Sequence, residues 1–202
     1  MAKKNNDLNL KDMLSLKPIG DNQKVVFDTW DKGKNQFVFG AAGTGKTFIL
    51  LYKALQDVLN PNTEYDRVII VRSLIPTREI GFLPGDEEDK SALYQINYMN
   101  MVRFMFQQPN EQAFLMLFDR LKQQGTLHFM STSFLRGLTF DNSIIIVDEC
   151  QNLNFHELDT IITRVGQNSK ISFAGDFFQT DLTKSVEKNG LQDFVRILDN
   201  MP

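Results

Sequence analysis

The chain has 202 residues, 42% of them hydrophobic, and a formal net charge of −3. That length suits one domain, or one domain with an insertion, with ample apolar material for a core. The acidic balance (pI about 5.4) excludes a global basic footprint for nucleic acid and leaves only a local basic groove, while the single Cys150 excludes an intramolecular disulfide framework and a cysteine-rich zinc site.

Met1–Asn6 is polar and lacks the apolar core of a signal peptide. No apolar run approaches the ~20 residues that span a bilayer. A soluble, cytoplasmic protein is the expectation. Residues 1–16 carry a weak apolar pattern (Leu8, Leu10, Met13, Leu14, Leu16) and read as an arm or short helix lying on the surface. Pro18–Asn22 is a turn and cap leading into a helix to about Trp30. Gln23 then sits in the first helical turn. Its amide both donates and accepts, so it suits an adenine edge, or else it simply faces solvent.

Gln36–Phe39 reads as a short buried strand, and a helix follows from Phe48. Between them lies Gly40-Ala41-Ala42-Gly43-Thr44-Gly45-Lys46-Thr47, a G-x-x-x-x-G-K-T loop. Such a loop cradles phosphates with backbone N–H groups at a helix N-terminus. Lys46 supplies a charge for the β- and γ-phosphates, and the Thr47 hydroxyl is a Mg²⁺ ligand.

Arg67–Arg72 is a second strand, apolar throughout its centre, as in a parallel sheet covered on both faces. The loop after it, Ser73–Gly85, lies where open α/β sheets bind ligands. Arg72 and Arg78 are candidates for a polyanion or for surface ion pairs with Glu79 or Asp86. Residues 86–125 read as a helical insertion, a second helix starting near Glu111. Its Met and aromatic stripe suits core or a subunit contact better than a cofactor box. Leu127–Met130 is a short strand whose His128, with no metal-ligand spacing nearby, reads as structural. Ser131–Phe140 reads as a turn and single helix exposing Arg136.

Ser143–Val147 is a strand ending in Asp148 and Glu149, about a hundred residues after the loop. Asp148 would hold Mg²⁺ and Glu149 would polarise the attacking water. Gln151 is within reach of the same site. Residues 153–165 form a helix capped by Asn154, with Glu157 completing a capping box. Arg164 at its end suits either an arginine finger, for its own or a neighbour's γ-phosphate, or an electrostatic cap. Lys170–Ala174 is a last strand. Gln179 follows it, facing the nucleotide, and Gly190–Leu198 closes the chain as a helix.

The motifs AAGTGKT (Ala41–Thr47), GFLPG (Gly81–Gly85), FLRGLTF (Phe134–Phe140), VDECQN (Val147–Asn152), TRVGQNSK (Thr163–Lys170) and GDFFQTDL (Gly175–Leu182) stand in order over roughly Lys17–Leu198. In this the chain resembles the PhoH family of phosphate-starvation-inducible ATPases, which is similar to the motor core of superfamily 1 helicases. The short N-terminus and the Ile75–Ile80 loop look most like bacteriophage-encoded members, which would place it in the host cytoplasm. Cys150 stands where the family usually has Ala. The family commonly continues into an Asp-Val-Val-Arg-His-like segment, and the expectation is a truncated or shorter, phage-type member.

The resemblance implies an α/β, RecA/helicase-like P-loop fold over 17–202, ATP hydrolysis with Mg²⁺, a ring-like homo-oligomer (hexameric in the family) and a role on RNA. One alternative is a P-loop kinase, disfavoured by Glu149 and by the lack of an arginine-rich lid. A GTPase is disfavoured by the lack of an Asn-Lys-x-Asp signature. The other alternative is an ATP-gated interaction protein, motivated by the apolar surface of residues 93–121. For nucleic acid, Arg72, Arg78, Arg136 and Phe134 are the candidate path.

Overall fold

In the computed structural model, residues 8, 10–73, 87–177 and 190–200 are described, 87–94 by backbone alone. Within them, β1 (Gln36–Phe39), β2 (Arg67–Arg72), β3 (Leu127–Ser131), β4 (Ser143–Val147) and β5 (Lys170–Gly175) pair in parallel in the order β1-β5-β4-β2-β3. Parallel pairing requires crossovers, and helices α1 (Asp21–Asp31), α2 (Lys46–Leu59), α3 (Glu87–Phe106), α4 (Glu111–Gln123), α5 (Phe155–Ile162) and α6 (Gly190–Asp199) flank the sheet.

Strand alternation splits the core in two. Val68, Ile70, Ile144 and Ile146 face a cluster built with α1 to α4, through Leu50, Leu55, Val102 and Phe118. Ile69, Val71, Ile145 and Val147 face a second cluster with Leu158, Ile161, Leu191 and Phe194 of α5 and α6. The result is a three-layer α/β sandwich, as the continuous apolar strands predict. In α3, Tyr98, Val102, Met105 and Phe106 are buried at helical spacing, as are Phe114, Leu117, Phe118 and Leu121 in α4. Much of the apolar surface over 93–121 is thus spent inside this chain, while Ile96, Phe104, Leu115 and Met116 stay exposed.

The N-terminal segment differs from the surface arm expected. Leu8 and Met13 are buried in the first cluster. The Tyr52 hydroxyl donates to the Leu14 carbonyl (3.0 Å) and accepts from the Leu16 amide (2.9 Å), and Leu14 N–H donates to the Met105 carbonyl (2.8 Å). A backbone tied on both sides belongs to the core it covers. Nor is the helix expected with a turn in 131–140 an α-helix. A single 3-10 turn, Thr132–Phe134, is started by the Ser131 hydroxyl accepting from Ser133 N–H. The segment then turns at Gly137, whose φ of 80° no helix allows. Among the described residues no helix is long and apolar enough to cross a membrane.

Candidate functional site

The loop between β1 and α2 closes at two left-handed glycines, Gly43 (φ 76°) and Gly45 (φ 84°), a backbone that a Cβ disfavours. Gly45 caps α2 without a side-chain hydrogen bond, leaving the helix N-terminus to an anion. Thr44 Oγ1 donates to the Ala41 carbonyl (2.8 Å). Lys46 Nζ donates to the carbonyls of Gly40 (2.7 Å) and Ala41 (2.9 Å), so its charge lies over the loop it would serve.

β5 separates β1 from β4, yet the two chemical landmarks meet. Thr47 Oγ1 donates to Asp148 Oδ1 at 2.6 Å, across 101 positions of sequence. The parallel sheet brings this about, because the loops after β1 and β4 both emerge at its carboxyl edge. Asp148 is buried, and its N–H donates to the Val71 carbonyl (2.9 Å), prolonging the ladder. Glu149 then takes a left-handed conformation (φ 51°, ψ 42°), unusual for a side chain with a Cβ and typical of functional turns.

Gln151 joins the acidic tip to the end of β5. Its Nε2 donates to Glu149 Oε2 (2.5 Å), and its Oε1 accepts from Asp176 N–H (3.0 Å). The approach is so close that a Cβ on Gly175 would lie 2.6 Å from Cys150 Sγ. Gly40 N–H donates to the Gly175 carbonyl (3.3 Å), so the end of β5 touches the P-loop as well.

The other oxygen of Asp148, Oδ2, accepts from the Tyr98 hydroxyl of α3 at 2.6 Å. Burial, then the Asp148 charge, hold the Tyr98 phenol well above its ordinary pKa. Arg72, at the end of β2, hydrogen-bonds Tyr98. Burial opposes its charge, but Tyr98, Asp148 and Glu149 outweigh that and keep the guanidinium firmly protonated. Arg72 therefore faces the acidic tip, which corrects its reading as a polyanion contact or surface ion pair. Tyr98 went unforeseen where the aromatic stripe of the insertion read as core or a subunit contact. One signal was present: a tyrosine on the buried stripe of a helix needs an acceptor for its hydroxyl.

Gln23 is half-buried, and both ends of its amide are engaged. Its Oε1 accepts from Ile19 N–H (2.9 Å), and its Nε2 donates to the Thr44 carbonyl of the P-loop (3.3 Å). Arg164 lies elsewhere. The loop it belongs to leads into β5, and its carbonyl accepts from Phe140 N–H (2.8 Å) in the loop leading into β4. Both loops enter the sheet at its amino edge, opposite the P-loop, and the Arg164 guanidinium donates to the Leu138 carbonyl (3.3 Å). An arginine finger for its own chain's nucleotide is thereby corrected. His128 Nε2 bonds the Gly125 carbonyl (2.9 Å), as a structural histidine does. Gln179, Arg78 and Gly81–Gly85 lie outside the described residues.

Also at the carboxyl edge, Thr132, Arg136, Asn154, His156 and Glu157 are among the residues lining an open cleft of about 390 Å³, with Phe134, 61% exposed, on the same turn. The α5 capping box is present as expected. Asn154 Oδ1 accepts from Glu157 N–H (3.0 Å), and Glu157 Oε2 accepts from Asn154 N–H (3.0 Å).

Hard oxygen donors meet at Thr47 and Asp148, and this set suits Mg²⁺, which takes one or two protein oxygens and keeps water and phosphate for the rest. Among the described residues no group of three or more His, Cys, Asp or Glu side chains offers a second metal site.

A family model described as PhoH-like protein matches residues 15–202. The PhoH-like protein of Synechocystis sp. is 36% identical over 166 residues, 82% of this chain and 48% of that one. The PhoH-like protein of Mycobacterium leprae is 29% identical over 196 residues, 96% and 53%. Protein PhoH of Escherichia coli is 33% identical over 159 residues, 78% and 42%. The chain spans about half the length of the curated relatives it matches. Among solved structures, unliganded Pif1 from Bacteroides sp. is 18% identical, with 89% of this chain and 36% of that one covered at a TM-score of 0.39. With a glycine-rich phosphate loop facing an acidic strand tip, and a family match that runs through both, this chain belongs to the PhoH-like protein family.

Proposed function

We propose that this protein is a Mg²⁺-dependent ATPase. The observation that carries the proposal is the 2.6 Å contact between the Thr47 hydroxyl and Asp148, which puts P-loop and acidic tip at one site. The α2 N-terminus and the glycine loop bind the phosphates. Lys46 exchanges the carbonyls of Gly40 and Ala41 for the β- and γ-phosphates, which offer it full negative charge. Thr47 and Asp148 are the residues that would hold Mg²⁺. When bound, Mg²⁺ neutralises charge on the phosphate oxygens. Glu149 polarises the attacking water, and Gln151 holds the Glu149 carboxylate in place. Gln23 braces the P-loop at Thr44, beside the position for the base. Gln179, which follows β5 in sequence, senses the γ-phosphate. A water-directed Glu149 next to the metal acid favours hydrolysis over a kinase reaction.

Single-stranded RNA is the proposed partner, passing over the cleft beside Phe134 and Arg136, where a base can stack on the ring and a phosphate can meet the guanidinium. The assembly is a homo-oligomeric ring, a hexamer by family resemblance, with Arg164 serving a neighbour's nucleotide.

The test is phosphate release by the parent and by Glu149→Gln, each with and without single-stranded RNA over a salt series. Loss of a general base predicts about 100-fold or more lower turnover with nucleotide binding kept. RNA stimulation should fade as salt rises, because phosphate contacts release counterions. Equal turnover in the two proteins removes Glu149 from the mechanism, and no stimulation at low salt removes the RNA.

A further inference from the structure

The acidic tip is held from one direction that hydrolysis by itself does not call for. Asp148 has two carboxylate oxygens. One meets Thr47 of the P-loop helix, and the other accepts from Tyr98, 2.6 Å away on α3. Tyr98 is fixed in turn. It is 2% exposed, its ring lies 5.4 Å from that of Phe129 on β3, and Arg72 of β2 hydrogen-bonds its hydroxyl. α3 is also locked to its surroundings, with Phe104 edge-on to Phe48 of α2 at 5.7 Å and the Met105 carbonyl bound by Leu14 N–H.

A carboxylate with one oxygen pinned has lost rotation about its last bond. Its other oxygen then points one way, toward Thr47. An unpinned aspartate must give up that rotation each time it takes a cation. Partners behind a metal ligand commonly set affinity in this way.

We propose that Tyr98 is a positioning residue for the metal site, fixing the Asp148 carboxylate through its hydroxyl, with Arg72 fixing Tyr98. The proposal rests on the Mg²⁺–ATP reading of the site. It makes the α3–α4 hairpin part of the site: a displacement of α3 frees Asp148 and weakens metal binding without touching the P-loop. Tyr98 touches neither phosphate nor water in this scheme, and its effect passes entirely through Asp148.

The test uses the full chain with Mn²⁺, a paramagnetic stand-in for Mg²⁺. Binding of Mn²⁺ in the presence of ADP is read by electron paramagnetic resonance for the parent, Tyr98→Phe and Arg72→Gln. Binding of a fluorescent ADP analogue in EDTA is read alongside. Tyr98→Phe keeps the ring and its packing and removes only the hydroxyl. The expected result is Mn²⁺ affinity about 10-fold or more weaker in Tyr98→Phe, and weaker to a lesser degree in Arg72→Gln. Metal-free ADP affinity stays at the parent value, a split that general loosening of the fold would not produce.

A folded Tyr98→Phe that binds Mn²⁺ like the parent overturns the proposal and leaves the ATPase reading intact. Should Tyr98→Phe not fold, Arg72→Gln decides, and parental Mn²⁺ affinity there overturns it. A parent that takes up no Mn²⁺ with ADP overturns the metal–nucleotide reading, and this proposal with it.

Discussion

Gly175 is where the acidic tip, β5 and the P-loop converge, and filling it is the sharpest test of that convergence. Its φ lies outside the left-handed region, so the backbone accepts alanine and only space is at issue. A Cβ there would lie 2.6 Å from Cys150 Sγ and 2.8 Å from Gln151 Oε1. Ordinary contact between such atoms is about 3.5–4.0 Å, a shortfall of roughly 1 Å on two sides. Neither neighbour yields freely. Cys150 is fully buried, and the Gln151 amide is held by Asp176 N–H and by Glu149. Overpacking of this kind costs about 1–3 kcal/mol. We expect Gly175→Ala to lower urea stability by that amount and to lower turnover, because a displaced Gln151 releases the Glu149 carboxylate. Cys150→Ala in the same chain removes the nearer clash. The two substitutions should then fall short of additivity by about 1 kcal/mol. Turnover should stay low, since the clash with Gln151 remains. A Gly175→Ala protein within about 0.5 kcal/mol of the parent and fully active, or strict additivity with Cys150→Ala, would refute the reasoning.

Two further predictions concern buried titratable groups. Burial, then the charges of Asp148 and Glu149, push the Cys150 thiol far up, so the native chain should resist thiol reagents at alkaline pH and react once denatured. Rapid labelling of the folded chain would contradict the close contact with Gly175. Lys170 is buried under Trp30, with Nζ 3.0 Å from the Trp30 carbonyl and 4.2 Å from the ring centroid. Burial lowers its pKa below the ordinary 10.5, with Lys53 acting the same way and Asp57 and Asp31 opposing. The unfolded chain therefore binds more protons in the window just below 10.5. Stability should rise with pH there relative to Lys170→Met in paired denaturation curves, and a fall would show the shift to be opposite.

The sheet was legible from the chain because its chemistry is local. Val68–Val71 and Ile144–Val147 are apolar without interruption, and only a strand covered on both faces tolerates that. The Asn154–Glu157 capping box and the glycine loop are equally local, each a few residues whose spacing fixes its hydrogen bonds. What the chain concealed depends on distance in sequence. Nothing in Lys170–Gly175 says that it lies between β1 and β4. Tyr98 looks like one more member of an apolar stripe until its hydroxyl is seen against Asp148, 50 positions away. Arg72 looks exposed at a strand end until Tyr98 and the acidic tip draw it inward. Leu8 and Met13 look too sparse to bury, but both join the first core cluster.

Arg164 ties the arginine-finger role to the form of the assembly. α5 starts at the carboxyl edge with Asn154 and ends toward the amino edge, and its 8 residues are about 12 Å long. An arginine beyond that far end cannot reach phosphate on its own P-loop without unwinding the helix. It reaches one only if the amino edge of one subunit meets the carboxyl edge of the next. Repeated head to tail, that contact is heterologous and generates a closed ring or an open filament; made reciprocally about a two-fold axis, it lets each subunit lend its Arg164 to the other. The finger therefore requires a neighbouring subunit, of which a ring is one form. A monomer that retained full turnover would dismiss the finger, leaving Arg164 with the local role it already has, holding the Leu138 carbonyl at the entrance to β4.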